Sequence, residues 1–362
     1  MSIAVVNVNR QAILHNIEYV RRNSPNSSLM AILKANAYGH GIAGIAQLLS
    51  DKVDYFGVAR LSEALLLRQI GIITPIVLLE GFFPHDEITD LIDFNLQTVV
   101  HSSWQIDALN AIKIENQITA WFKIDTGMHR LGFRFDEAQG EFNRLASCCV
   151  VRKPLNIISH FSSADDFSSD QTSNQCLLLD DFVESISSKS LLDKQSIAAS
   201  GGILAWPNSH RDVIRLGIAL YGVSPFENPI AELHPAMTFK SELIAVRKHK
   251  KGESVGYGQI WTSHKETKLG VVAMGYGDGY PRGIPENTPV LINGRRVPIV
   301  GRVSMDMIIV DLGLNSSDKP GDEVIFWGKE LPVEEIAKYT GISAYELLTR
   351  LTTRAKVHYI DK

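Results

Sequence analysis

Between about residue 9 and residue 225 the chain repeats one pattern eight times: a short β-rich run, then a segment with helical patterning. The runs are MAILK, DYFGVA, PIVLLE, LQTVVH, ITAWFKID, LNIISHF, SIAAS and DVIRLG. Several are continuously apolar, as expected of parallel strands buried on both faces. The segments between them are of the type LSEALLLRQIG, where Ser62 reads as an N-cap and Gly71 as a stop. Eight such units fit a (β/α)8 barrel, whose usual size is about 250 residues; a doubly wound open sheet fits the periodicity as well.

After YGVSPFENP the texture changes. AMTFKSELIAVRKHK, KLGVVAMGY, PVLING, RRVPIVG and MDMIIVDL are β-rich and lack regular helices between them, with turn signals at Asn293-Gly294 and Pro320-Gly321. Helices are expected from Pro332 to Tyr339 and around Ser343 to Arg354. The fold class predicted is therefore α/β: a (β/α)8 TIM-type barrel over residues 1–230, followed by a mostly β C-terminal domain over 231–362. Two domains also suit a chain of 362 residues.

Composition excludes several classes. Thirty-six basic against forty acidic side chains give a net charge of −4, which argues against a general binder of nucleic acid or anionic membranes. The most apolar window, GIITPIVLLEGFF, is interrupted by Thr74, Pro75 and Glu80 and is too short to span a bilayer. MSIAVVNVNR has no basic leader ahead of a long apolar segment, so no signal peptide and a cytoplasmic location are expected. Three cysteines, two of them adjacent (Cys148, Cys149), make neither a disulfide framework nor a zinc pattern, and no metal is expected.

A (β/α)8 barrel presents its chemistry at the C-terminal ends of its strands. Five of the eight runs end on reactive residues: Lys34; Lys123 with Asp125 and Arg130 (KIDTGMHR); His160 (SHFSSADD); Ser200 with two glycines (AASGG); and Arg215 with Gly217 (IRLGIALYG). The loops after the last two strands are the recurrent phosphate site of such barrels. There Ser200 offers a hydroxyl, and glycines let backbone N–H groups approach an anion. A lone SGG is more often an ordinary turn. Combined with a strand-end lysine, it points to pyridoxal 5′-phosphate, held covalently by Lys34 and by its phosphate at the last two loops.

AILKANAYGHG resembles the pyridoxal-phosphate signature of the alanine racemase family. KIDTGMHRLGF, HFSSAD, RLGIALYG, VGYG and GRVSMDM resemble that family's other motifs, in the same order, from near residue 5 to near residue 357. The resemblance implies a homodimer with shared active sites, acting on alanine. Lys34 would carry the cofactor and act as one catalytic base. Tyr38, Ser200, Gly217, Ile218 and Tyr345 would grip its phosphate. Arg215 would stand at the ring nitrogen, with His160 bonded to it or stacked on the ring. Arg130 would face the substrate carboxylate or the cofactor's phenolic oxygen, and Lys123 aligns with a lysine that is carbamylated in many members. Tyr257 matches the second catalytic residue; it, Met305 and Asp306 would reach the site from the partner subunit. One position departs from the commonest pattern, with Ala199 where asparagine is frequent.

Arg215 sharpens the reaction class. A guanidinium has no acceptor, so it can only donate to an unprotonated ring nitrogen. The resulting weaker electron sink suits proton exchange at Cα and disfavours loss of CO2, which argues against a barrel decarboxylase of the basic-amino-acid kind. The extra β domain with Tyr257 argues against a mere carrier of the cofactor. The expected function is alanine racemisation by two bases, Lys34 and Tyr257, supplying D-alanine for peptidoglycan. A racemase of broader amino-acid range is the alternative. GYGDGYPRG invites a nucleotide-loop reading, but its spacing is not G-x-G-x-x-G; it is expected as a loop near the site entrance.

Overall fold

A computed structural model describes residues 3–113 and 115–361; Met1, Ser2, Ile114 and Lys362, which fall in the two expected domains, lie outside it. Strand β1 (Val5–Asn9) opens the chain, and a parallel ring follows of β2 (Ser28–Ile32), β3 (Tyr55–Val58), β4 (Ile76–Leu78), β5 (Leu96–Val100), β6 (Ala120–Lys123), β7 (Leu155–Ile158), β8 (Leu192–Ser196) and β9 (Val213–Leu216). From β2 to β8 each strand pairs with the next in sequence, and β9 returns to pair with β2 through Ser28↔Val213 and Met30↔Arg215. The only seam lies between β8 and β9. It is bridged by Arg215 N–H to Ala198 O (3.0 Å) and Gln195 N–H to the Asp212 carboxylate (2.8 Å) in place of a ladder. The open-sheet alternative is thus excluded: this is a nearly closed (β/α)8 barrel. Strands β3, β6, β7 and β9 are buried at every position, which is why their sequences are continuous rather than alternating.

Three local expectations change. The seventh strand is Leu192–Ser196, earlier than SIAAS and more polar. The 197–198 backbone instead serves Arg215: Ala198 O accepts its N–H and Ile197 O accepts its guanidinium. Helix Leu61–Gln69 starts from Arg60, not Ser62, and the Glu63 carboxylate takes the Arg60 N–H. The predicted helix over 343–354 is only Ala344–Thr349; the chain then turns into a strand.

That strand, Lys356–Ile360, lies parallel to β1, and β1 also pairs antiparallel with Met237–His249. Residues 5–9, assigned by sequence to the barrel's stretch, therefore belong to the second sheet. The other strands of that sheet are Thr267–Val272, Pro289–Ile292, Arg295–Pro298, Ile308–Asp311 and Glu323–Trp327. Glu323–Trp327 and Lys356–Ile360 went unpredicted because each pattern is short and bounded by charge. No helix among the described residues is long and apolar enough to cross a membrane.

Candidate active site

A cavity of about 640 Å³ opens at the C-terminal ends of the barrel strands. Nine of the predicted residues line it: Lys34, Tyr38, Arg130, His160, Ser200, Arg215, Gly217, Ile218 and Tyr345.

The backbone after Lys34 is unusual. Ala35, Asn36, Ala37 and Tyr38 all have φ between 52° and 55°, a left-handed turn built without glycine. Each such residue costs about 1–2 kcal/mol, so the turn must be held from outside. Ala37 N–H bonds to Leu33 O (2.8 Å), and Asn36 Oδ1 accepts the Ile42 N–H (2.9 Å). His40 Nδ1 lies 3.1 Å from Ala37 O and 2.9 Å from Tyr38 O, so it carries the hydrogen and donates. Full burial pulls the pKa of His40 down to about 4, keeping that ring neutral. From the second sheet, the Tyr359 hydroxyl donates to both His40 O and Gly41 O at 3.0 Å. Gly39 has no room for a side chain: a Cβ there would sit 2.2 Å from Leu348 O. The turn thus sets Tyr38 against the same cavity as Lys34, which a regular helix would not guarantee.

Tyr38, Ser200 and Gly217 converge on one point. A Cβ on Gly217 would lie 3.2 Å from the Tyr38 hydroxyl and 3.6 Å from Ser200 Oγ. Ser200 Oγ accepts the N–H groups of Gly217 (3.2 Å) and Ala219 (3.3 Å), which fixes the loop after β9. The Tyr345 ring, on the short helix of the second domain, is 6.1 Å from that of Tyr38. Burial and then the Asp165 carboxylate push its phenol up to about 12, so it is a neutral donor.

Beneath the cavity floor the buried Arg215 guanidinium is locked by four contacts. Nη1 donates to Ser196 Oγ (2.7 Å); Nη2 donates to Ser159 O (2.7 Å) and Ile197 O (3.0 Å) and lies 2.9 Å from His160 Nδ1. Nη2 is a donor only, so His160 Nδ1 accepts and its hydrogen is on Nε2. Burial, then the charge of Arg215, holds the His160 pKa well below the ordinary value. His160 is therefore bonded to Arg215, one of the two arrangements expected for it.

Cations dominate the site. Lys123, buried at the end of β6, has its pKa pulled down to about 7 by burial and by Arg215 and Arg130. Burial lowers the Lys34 pKa as well; Arg130 and Arg215 add to this, while Glu80 and Glu63 oppose it. Arg130 is presented by a turn organised around Asp125, whose Oδ1 accepts the N–H groups of Gly127, Met128 and His129 at 3.0–3.1 Å. The Arg130 and Arg215 guanidiniums, with the Lys34 and Lys123 amines close enough to feel their charge, make a basic site that calls for an anionic ligand.

Of the four other predicted residues, Lys123 is buried at the end of β6 without lining the cavity, and three lie on the second domain. Tyr257 is 72% exposed in a turn between Gly256 and Gly258, Met305 is exposed, and Asp306 pairs with Arg354 (2.9 Å). All three sit on loops of the second domain, outside the cavity lining of their own chain. GYGDGYPRG is outside the cavity lining and is tied to the segment after the helix that carries Tyr345, Thr352 N–H bonding to Asp278 O. Sequence reasoning missed Glu63, Glu80, His40 and Tyr359. Only Glu63 left a signal, three residues after a helix start.

A parallel barrel with an amine at one strand end and a cationic, glycine-lined cavity at its mouth defines a (β/α)8-barrel enzyme acting on a small anionic ligand. Residues 8–225 match the family described as alanine racemase, N-terminal domain, and 236–359 its C-terminal domain. The alanine racemase of Yersinia pestis is 54% identical over 365 residues, covering all of both chains. The biosynthetic alanine racemase of Salmonella typhimurium is 53% identical over 365 residues, again covering all of both. Among solved structures, the biosynthetic alanine racemase of Pseudomonas aeruginosa superposes with a TM-score of 0.94 at 39% identity, covering 99% of this chain and 100% of that one. That of Bartonella henselae, solved with covalently bound pyridoxal phosphate, gives 0.89 at 29% identity, covering 99% and 100%. The chain belongs to the alanine racemase family and is an isomerase, an amino-acid racemase.

Proposed function

We propose that the chain interconverts L- and D-alanine with pyridoxal phosphate as cofactor, working as a homodimer whose active sites are shared. The convergence of the Tyr38 and Ser200 hydroxyls on Gly217, in the same cavity as the Lys34 amine, carries this reading. The residues fit the cofactor. Gly217 leaves open a cradle that a Cβ would fill, beside two hydroxyls suited to a phosphate, with Ile218 and Tyr345 on the same wall. Arg215 keeps N–H donors beyond those that lock it, the second on Nη1 and the one on Nε, and either would serve a ring nitrogen. Lys34 supplies the amine for covalent attachment, and His160 keeps Arg215 in place.

When bound, the cofactor supplies an electron-withdrawing ring that acidifies the substrate Cα–H. Lys34, whose pKa burial lowers, takes or returns the Cα proton on one face. Arg130 meets the substrate carboxylate as a fork of donors. Arg215 offers only donors, so the ring remains a modest sink, sufficient for proton exchange. On the opposite face Tyr257 of the partner subunit takes or returns the proton, and Met305 and Asp306 of the partner subunit bound the pocket. The exposure of all three in one chain supports a site completed by a second copy. Residues 1–230 would then be the cofactor-binding domain, and 231–362 the part that reaches into the neighbouring site. The biosynthetic relatives support a role in supplying D-alanine for peptidoglycan, in the cytoplasm.

Incubated with L-alanine, the purified protein should abolish its optical rotation. Tyr257→Phe should slow removal of the L-enantiomer's α-proton by about a hundredfold, with much less effect on alanine binding. Unchanged rotation with wild type overturns the reading, as does a strong preference for serine, lysine or arginine. Exchange in Tyr257→Phe that stays intact in both directions removes the tyrosine from the mechanism.

Lys123 would be carbamylated. With a pKa near 7 its amine is available to attack CO2, forming an N–C bond and releasing a proton. The product replaces a cation crowded by Arg215 and Arg130 with an anion attracted to both. Isotope-labelled bicarbonate should give a carbamate carbon signal by NMR that vanishes in Lys123→Met. A signal persisting in that variant would assign the carbamate elsewhere.

A further inference from the structure

Glu63 belongs to no motif above and does not line the cavity, yet it joins two neighbouring strand exits. It is the third residue of helix Leu61–Gln69. Its Oε2 accepts the N–H groups of Ala59 (2.9 Å) and Arg60 (3.1 Å), the ordinary service of an N3 side chain to its own helix. Its Oε1 crosses to the adjacent strand and accepts the Ala35 N–H at 2.7 Å. Ala35 follows Lys34 directly and opens the left-handed turn.

The chemistry separates this from simple capping. Glutamine serves an N3 position as well as glutamate does. Here three N–H donors converge on both oxygens of one side chain, and only a carboxylate accepts at both ends. An amide would have to turn its NH2 group toward one set of donors. We propose that Glu63 is the positioning residue of Lys34, its carboxylate tying the lysine-bearing turn to the start of the following helix and so aiming the amine into the cavity. Its charge adds a second effect, since Glu63 and Glu80 offset the pull of Arg130 and Arg215 on the Lys34 amine. The inference rests on the role proposed above for Lys34.

The test is hydrogen exchange by mass spectrometry on the full chain loaded with pyridoxal phosphate, beside racemisation kinetics, for wild type, Glu63→Gln and Glu63→Asp. Glu63→Gln keeps an acceptor for its own helix and loses the one for Ala35. Exchange across 33–39 should rise about tenfold, the loss of one charge-assisted hydrogen bond, while the second sheet stays unchanged. The kcat should fall about tenfold and KM for alanine should hold within about threefold, because the substrate's carboxylate contacts are untouched. Glu63→Asp retains the charge but is one methylene too short to span both sites, and should behave alike; it carries the test if Glu63→Gln does not fold. Unchanged exchange across 33–39 overturns the proposal, and so does raised exchange with unchanged kcat. A wild-type protein inert toward alanine would sink the proposed function instead, leaving the exchange measurement, which needs no substrate, to decide on Glu63.

Discussion

Lys34→Ala protein supplied with pyridoxal phosphate should racemise alanine about ten-thousandfold more slowly than wild type, and should show no absorption band of a lysine-bound cofactor. The loss combines a general base, worth about 10²–10⁴-fold, with covalent attachment of the cofactor. The fold should survive. Burial disfavours the Lys34 charge, and Arg130 and Arg215 add to this against Glu80 and Glu63, so a small neutral side chain relieves a buried cation. The wild-type rate should rise with pH along a limb below the ordinary lysine value of 10.5, because the proton-free amine is the base and its pKa is lowered. Polarimetry, the cofactor spectrum and a thermal melt decide the matter together. Racemisation within tenfold of wild type would take Lys34 out of the acid–base role, whatever the spectrum shows.

Arg215→Ala should destabilise the fold strongly, by about 3 kcal/mol or more, through the acceptors it leaves unpaired. It strips the donor from Ser159 O, Ile197 O, Ser196 Oγ and His160 Nδ1, all inside the barrel mouth beside the β8–β9 seam. Leaving buried acceptors unpaired costs about 1–3 kcal/mol each. The His160 pKa should also rise toward 6.5, since the charge of Arg215 is the second cause of its depression after burial. Arg215→Lys should recover only part of the stability, because an ammonium cannot reproduce the fork that reaches β7 and β8 together. Denaturant melts and a histidine NMR titration measure both effects. A melt within experimental error of wild type, with His160 unmoved, would mean that the network carries no weight.

The barrel was legible because parallel strands buried on both faces write continuous apolar runs, and because strand ends such as Lys34, Lys123 and Arg215 break those runs with charge. The seventh strand was misplaced for the converse reason. Asp193, Lys194 and Gln195 put polar residues where the pairing with β7 runs, and the more apolar SIAAS follows the true strand. The cavity-lining residues could be found from strand ends and the family pattern. Tyr359 could not, and for Glu63 spacing hinted only at the helix start and not at the bond to Ala35; each acts through a backbone atom of a distant segment, and such a bond leaves no mark on spacing or hydropathy. The N-terminal strand was missed because VVNVN pairs with strands more than two hundred residues away.

The hydrogen bonds from Tyr359 to the carbonyls of His40 and Gly41 have a consequence for the order in which the protein is made. His40 leaves the ribosome 319 residues before the side chain that braces it. All eight barrel strands can be translated while the lysine-bearing turn still lacks this support, and β1 waits longer still for its parallel neighbour. A chain that stops short of Tyr359 would therefore have every barrel strand present and the lysine-bearing turn unbraced.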